Sequence, residues 1–258
     1  MINITDTHAH LYMNEFDKDR NLVINKAISN GIKRFFIPSI DILDIPKILK
    51  LSNNYPNICF PMIGLHPNKV NLDYKITLDK LKKYLDLYSF ISIGEIGLDL
   101  YSHNKLLISE QIKAFKIQLN LAQNYKLPII IHCRNAFDII FDIIKTYYPI
   151  KGIFHCFCGT LKQANKIIDL GMKLGIGGMI TFKNNHIISF LNKISLEHII
   201  LETDSPYLAP TPFRGTRNEP IYLRIILKKL SKIYSISERR ISNIINLNID
   251  NIFSKILL

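Results

Sequence analysis

His8, His10, Glu95, His132, His155 and Asp204 are the residues of this chain best suited to divalent-cation chemistry, and each stands where a short apolar run ends. The runs are INITDTHAH, FISIGEIGLD, PIIIHCR, GIFHCFCG and HIILETDSP. Imidazoles and carboxylates together are ligands for hard or borderline divalent metals. His8 and His10 are two residues apart, so on a strand both rings point the same way. Ile2 and Ile4 share that parity, which predicts an inward direction. A carboxylate at Glu95 is costly to bury unless it is paired or bound to a cation, and its two oxygens can bridge two cations. No lysine lies at that strand end to serve, carbamylated, as the bridge. His132 and His155, on neighbouring strands, can hold a second cation together with Glu95. Asp204 can ligate the first and take a proton from an attacking water. Two cations about 3.5–4 Å apart are a known device for in-line displacement at phosphorus. Oxygen and nitrogen donors without thiolate suit Mg²⁺, Mn²⁺ or Zn²⁺ alike.

The elements that must position these groups alternate from end to end. Apolar runs of strand length begin near Ile2, Arg34, Ile58, Phe90, Pro128, Gly152, Lys173 and His198. Each is followed by a longer segment of helical periodicity. In Glu110 to Tyr125, for example, Ile112, Phe115, Leu119 and Ala122 recur at helical spacing, a face that packs onto a sheet. Eight strand–helix units predict a single α/β domain over residues 1–258, a (β/α)8 barrel of the TIM type, with a doubly wound sheet as the alternative. In such a barrel the C-terminal strand ends converge on one face, where chemistry is built. A helix is expected over Pro220 to Ile233, with a further helical stretch through Leu258. The Pro- and Gly-containing loop from Pro206 to Pro220 has the length of a functional loop.

Composition sets limits. The 258 residues are 48% hydrophobic, enough for a substantial core, which excludes a disordered chain. The net charge of +12 is spread over a chain crowded with Ile, Asn and Lys rather than clustered, so it argues only weakly for a polyanionic partner. Cys59, Cys133, Cys156 and Cys158 show no disulfide framework and are expected as reduced buried thiols, although Cys156 and Cys158 flank a soft-metal possibility beside His155. The N-terminus MINITDTHAH has no signal-sequence pattern and no apolar run is long enough to span a bilayer. A cytoplasmic protein, with no membrane association and no obligate protein partner, is the expectation.

Three further residues are candidates for substrate binding. Arg134 lies two residues past His132 and can clamp a phosphate oxygen or a substrate carboxylate; a structural ion pair is the alternative. His66, in GLHP, borders the same mouth and can hydrogen-bond substrate or water, unless Pro67 makes the turn purely conformational. Arg214 begins an arm, RGTRNEP, that can bring an arginine to a phosphate, while a helix-capping box would also account for Asn218 and Glu219. Asp99 is expected to orient a histidine. His103, His186 and His198 are expected to have no role.

Taken together, DTHAHL, GLHP, GEIGLD, IHCR, HCFCG and ETDSPYLAP resemble, in order and spacing, the TatD family of metal-dependent deoxyribonucleases from Thr5 to about Pro220. The resemblance implies two cations, one on His8, His10, Glu95 and Asp204 and one on Glu95, His132 and His155. It also implies phosphodiester hydrolysis of DNA, in several relatives as a 3′-to-5′ exonuclease. Asn135, Cys158 and the Leu100–Tyr101 pair depart from the family pattern, which bears on substrate preference rather than on the ligands. The alternative function is a metal-dependent ester or amide hydrolase acting on a substrate such as an aminoacyl ester. A barrel that binds without catalysis is disfavoured because all six ligand positions are intact.

Overall fold

The computed structural model describes residues 2–101 and 107–253. Eight parallel strands, β1 (Ile4–Asp6), β2 (Ile32–Ile37), β3 (Cys59–Pro61), β4 (Ile93–Asp99), β5 (Ile129–Arg134), β6 (Gly152–Phe154), β7 (Lys173–Ile176) and β8 (Ile199–Leu201), fall within three residues of the expected starts. They form a three-stranded sheet in the order β1-β2-β3 and a five-stranded sheet in the order β4-β5-β6-β7-β8. Ile63 and Ile93 form a parallel bridge between the sheets on one side, and Ala9 and Ser205 on the other. Backbone hydrogen bonds run alongside, Gly94 N to Ile63 O at 2.7 Å, Thr7 N to Leu201 O at 3.1 Å and Asp204 N to His8 O at 2.9 Å. His8 to His10 thus continue the line of β1 between β2 and β8. Residues on both parities are buried here, Thr7 and Ala9 as well as His8 and His10, so alternation alone could not have chosen the direction of the rings.

The helices are α1 (Arg20–Ser29), α2 (Ile45–Asn54), α3 (Tyr74–Leu87), α4 (Ile108–Tyr125), α5 (Phe137–Ile144), α6 (Leu161–Asp169), α7 (Leu223–Tyr234) and α8 (Glu238–Phe253). On α4 the expected face is buried at Phe115, Leu119 and Ala122, while Ile112 is only half-buried. Two glutamines of that helix are buried instead. Gln118 accepts from Leu65 N at 2.7 Å and donates to Leu65 O at 3.1 Å, and Gln111 accepts from Asp99 N at 3.0 Å. They satisfy backbone groups that have no sheet partner, and so fix the segment after β3 and the end of β4, where His66 and Asp99 stand.

One expected helix is replaced. Between β7 and β8 the chain makes short 3₁₀ turns at Gly178–Thr181, His186–Ser189, Leu191–Lys193 and Leu196–His198. The Gly177–Gly178 pair and the two asparagines favour turns, and the Asn185 side chain takes the Ile187 amide at 2.9 Å. The helix expected from Pro220 begins as a 3₁₀ turn over Pro220–Tyr222 and becomes α7 at Leu223. His103 and the end of the last helical stretch, through Leu258, lie outside the described residues.

Candidate metal centre

Glu95 stands at the middle of the site. The β4–β5 pairing shifts register between Ile93 and Ile96, which takes Glu95 off the regular ladder. Two residues on, Gly97 has φ +143° and a side chain there would meet the His132 carbonyl at 2.0 Å, so only glycine lets β5 approach. The Glu95 carboxylate is 3% exposed and has imidazoles on both sides. Its Oε2 lies 3.2 Å from His8 Nε2 and 3.8 Å from His10 Nε2. Its Oε1 lies 2.6 Å from His132 Nδ1, 2.9 Å from His155 Nε2 and 3.3 Å from His66 Nε2. Asp204 closes the first side, with Oδ1 3.5 Å from His10 Nε2 and 3.8 Å from His8 Nε2. Asp204 has φ +59°, a left-handed conformation that aspartate tolerates better than most residues. The six residues therefore come together around one carboxylate, but not all from strand ends as expected: Glu95 is the third residue of β4 and His132 the fourth of β5, while His8, His10, His155 and Asp204 lie just past β1, β6 and β8.

The outer nitrogens of the rings are held by groups that sit farther from the centre. Asp99 Oδ2 lies 3.2 Å from His132 Nε2 and takes the hydrogen of that nitrogen in the tautomer that turns the Nδ1 lone pair inward. Glu202 Oε1 accepts from the Cys156 amide and lies 3.4 Å from His155 Nδ1, which has no hydrogen-bond partner among the described residues. The Tyr12 hydroxyl lies 3.5 Å from His10 Nδ1 and donates to Asp44 at 3.0 Å. Such outer partners set the tautomer and aim of metal-binding imidazoles. The His8 Nδ1 atom is buried without a hydrogen-bond partner among the described residues.

His66 is different. Its Nδ1 accepts from the Asn68 amide at 3.1 Å, which leaves the hydrogen of the neutral ring on Nε2, facing Glu95. Grouped by distance alone, His66, Glu95 and His132 form one cation-sized cluster, His8, His10 and Glu95 a second, and His8, His155 and Glu202 a third. Because an Nε2 that carries hydrogen has no lone pair to give, His66 acts as a donor rather than a ligand.

Electrostatics follow from this packing. Burial alone would raise the Glu95 carboxyl, but His155, His66 and His8 around it hold it well below the usual range. Asp204 is lowered in the same way: burial opposes ionisation, and His10, His155 and His8 overcome it. His155 is pushed well above an ordinary imidazole, burial being outweighed by Glu95 and Glu202. His132 is raised by Asp99 and Glu95 against burial, whereas burial lowers His8 and His66. In this packing the imidazoles around Glu95 and Asp204 offset the cost of burying the two carboxylates. Divalent cations held there would take over that role, and the imidazoles that ligate them would do so unprotonated. The donor set fits divalent cations.

Of the candidate substrate residues, Arg134 and His66 line the cleft over the cluster and Arg214 does not. Arg134 is exposed at the end of β5, its guanidinium 4.0 Å from the centre of the Tyr101 ring, with Asp99 and Lys69 bordering the same cleft. Arg214 instead lies over Phe182 at 3.9 Å and reaches Ala209 O at 3.5 Å. The other arginine of that loop, Arg217, binds Asp19 at 2.7 Å and Glu219 at 2.9 Å. Asn218 makes no capping box. It is buried and donates to Thr203 O at 2.7 Å and Tyr207 O at 2.6 Å. These bonds pin the loop to Thr203, just past β8, and to Asp19 before α1, so its arginines serve the loop rather than the mouth. His198 and His186 stand away from the cluster, and His186 lies 3.1 Å from Gly159 O.

The cysteines also differ from expectation. Cys59 is buried, but Cys133 and Cys156 are half-buried and Cys158 is exposed, all three lining the mouth. Burial raises the thiols of Cys133 and Cys156, which disfavours thiolate ligation. Among the described residues no cation-sized cluster includes a cysteine.

Glu202 and Asp6 were not anticipated. Asp6 accepts from Thr203 N at 2.9 Å and Thr203 Oγ1 at 2.6 Å, and burial lifts its carboxyl to about 7. It ties β1 to the segment that carries Glu202 and Asp204. The only local signal for Glu202 is a second acid two residues before Asp204. Glycine at position 175 makes room for it, since a Cβ there would lie 2.4 Å from Glu202 Oε2. Glu202→Gln, and Gly175→Ala by displacing Glu202, are each expected to weaken cation affinity about 10- to 100-fold. Cation titration of the metal-free protein checks this, and wild-type affinity in both variants would rule out the orienting role.

A parallel α/β fold that gathers imidazoles and carboxylates around Glu95 is an arrangement suited to a metal-dependent hydrolase. The family model "TatD related DNase" matches residues 5–254, and the chain belongs to the TatD family. A relative from Bacillus subtilis (strain 168), named the uncharacterized metal-dependent hydrolase YabD, is 32% identical over 96% of this chain and 98% of its own. The protein of Salmonella typhimurium named 3'-5' ssDNA/RNA exonuclease TatD is 31% identical, over 88% of this chain and 89% of its own. Among solved structures, YJJV, the TatD homolog from Escherichia coli K12, superposes with a TM-score of 0.92 at 28% identity, covering 98% of this chain and 99% of that one.

Proposed function

We propose that this metal-dependent hydrolase cleaves phosphodiester bonds of single-stranded nucleic acid, DNA foremost, from the 3′ end, using two divalent cations of the Mg²⁺, Mn²⁺ or Zn²⁺ type. The observation that carries the reading is the division of side chains about Glu95: His8 and His10 face one oxygen, with Asp204 against those two rings, and His132 and His155 face the other. The exonuclease name of the Salmonella relative supports the choice of bond and direction. In this reading the bridges and hydrogen bonds between the two sheets close the eight strands into one barrel, and the chain forms a single domain.

When bound, the cations would acidify water and neutralise charge developing on the phosphate. The chain supplies the rest. Glu95 holds both halves of the site in register. Asp204, kept ionised by its histidines, takes the proton of the attacking water. The His66 Nε2–H, presented beside Glu95, can donate to a non-bridging oxygen of the phosphate. Arg134 is exposed at the mouth, and its cation attracts the phosphate as the strand enters. No helix among the described residues is long and apolar enough to cross a membrane. The free cysteines suit a reducing compartment, and we place the activity in the cytoplasm.

The test is degradation of a 5′-labelled single-stranded DNA with Mg²⁺ or Mn²⁺. A ladder shortening from the 3′ end and abolished by chelator is expected. Absence of cleavage by protein shown to hold two cations would overturn the nuclease reading and move the search to ester and amide substrates.

A further inference from the structure

The cleft above the metal centre has two lobes of unlike chemistry that meet at His132, Arg134, His155, Asp204 and Tyr207. One, of about 320 Å³, runs under Met179 and Leu208 and is flanked by Cys133, Cys156 and Cys158. Apart from the shared residues it presents sulfur and hydrocarbon. The other, of about 410 Å³, runs past Ile40 to Asn68 and Lys69, both exposed. Tyr207 stands on the ridge between them, 45% exposed, its ring 6.0 Å from that of His10 and its hydroxyl 3.4 Å from Met13 Sδ.

A phosphodiester has two arms, and in a single strand they are a terminal nucleoside on one side and the continuing backbone on the other. We infer that the Met179–Leu208–Tyr207 lobe binds the nucleobase of the terminal nucleotide, while the Lys69–Asn68 lobe takes the backbone that follows. This rests on the nuclease reading and specifies how the strand enters. The assignment follows from solvation. Beyond the shared Arg134 at its edge, the lobe offers a phosphate no cation among Met179, Leu208 and the three thiols to replace its lost water. A nucleobase presents an apolar face that suits methionine and tyrosine walls, and stacking tolerates every base. Arg134, at the junction and held over the Tyr101 ring at 4.0 Å, carries positive charge where the scissile phosphate must cross. Lys69 borders the backbone side alone, where the carboxylates Glu95 and Asp99 are both paired with His132, at 2.6 and 3.2 Å. The volume of the apolar lobe is at the low end for a small-molecule pocket, about 300 Å³, so it admits a single nucleoside.

The experiment compares two oligonucleotides that differ only at the 3′ terminus, one with an ordinary nucleotide and one with an abasic nucleotide. With Mn²⁺-loaded wild type, kcat/KM should favour the base-bearing substrate by about 5- to 100-fold, expressed mainly in KM. In Met179→Glu, which puts a charge in the lobe, and in Tyr207→Ala, which removes its wall, the ratio should fall toward one. Lys69→Ala should lower both substrates by the same factor and keep the ratio. A wild-type ratio near one, or a ratio unchanged in both lobe variants, would overturn the assignment of the lobe. Cleavage of neither oligonucleotide by metal-loaded wild type would overturn the nuclease reading itself, and the lobe assignment with it.

Discussion

Glu95→Gln is expected to empty both halves of the site at once and to abolish hydrolysis, with a loss of at least about 10³-fold in kcat. The substitution keeps the side-chain volume, so packing within β4 is little changed. It removes the negative charge that lies 3.2 Å from His8 on one side and 2.6 Å from His132 on the other. With that charge gone, the inner imidazoles converge on a neutral amide, and a divalent cation entering either side meets one ligand fewer. His132→Ala, by contrast, should release mainly one cation, because only the Oε1 side of the carboxylate faces that ring. Metal content by elemental analysis, measured beside activity, separates the two outcomes. Full cation content in Glu95→Gln would exclude a bridging carboxylate.

Asp204→Asn is the second large effect. The amide is nearly isosteric and can still hydrogen-bond His10, so the fold and the approach of substrate should survive. What it cannot do is accept a proton. A fall in kcat of about 10²- to 10⁴-fold with little change in KM is the expected signature of a lost general base. Steady-state kinetics on a 3′-labelled single strand, with cation content measured on the same sample, would test it. A rise in KM at unchanged kcat would instead make Asp204 a residue of uniform substrate binding.

The alternation of parallel strands with helices, and the six residues that converge on Glu95, were legible in the sequence by itself. Strands show as short apolar runs because a parallel sheet covered on both faces needs hydrophobic residues on both. Polar residues that end such runs stand out for the same reason: His8, His10, Glu95, His132, His155 and Asp204 have little cause to be there unless they converge. Asp99 was legible too, four residues past Glu95 on one strand. Where local propensity was mixed, as in the Gly- and Asn-containing stretch between β7 and β8, periodicity suggested a helix and turns formed instead.

Tertiary structure alone decided the rest. Glu202 reaches the Cys156 amide, 46 residues away in sequence, Tyr12 meets Asp44 at a separation of 32, and Asp6 meets Thr203 at 197. No pattern of local spacing encodes such pairs. It also decided between two arginines that look equally available in sequence: Arg134 ends a strand and stays at the mouth, whereas Arg214 is drawn onto Phe182 while Arg217 and Asn218 pin its loop. His66 illustrates the division most directly. Its position beside Pro67 could be read from the chain, but its role as donor depends on one backbone amide, that of Asn68, fixing which ring nitrogen carries the hydrogen. Side-chain type and periodicity are properties of the chain, whereas the direction of a lone pair is a property of the packed neighbours that surround it.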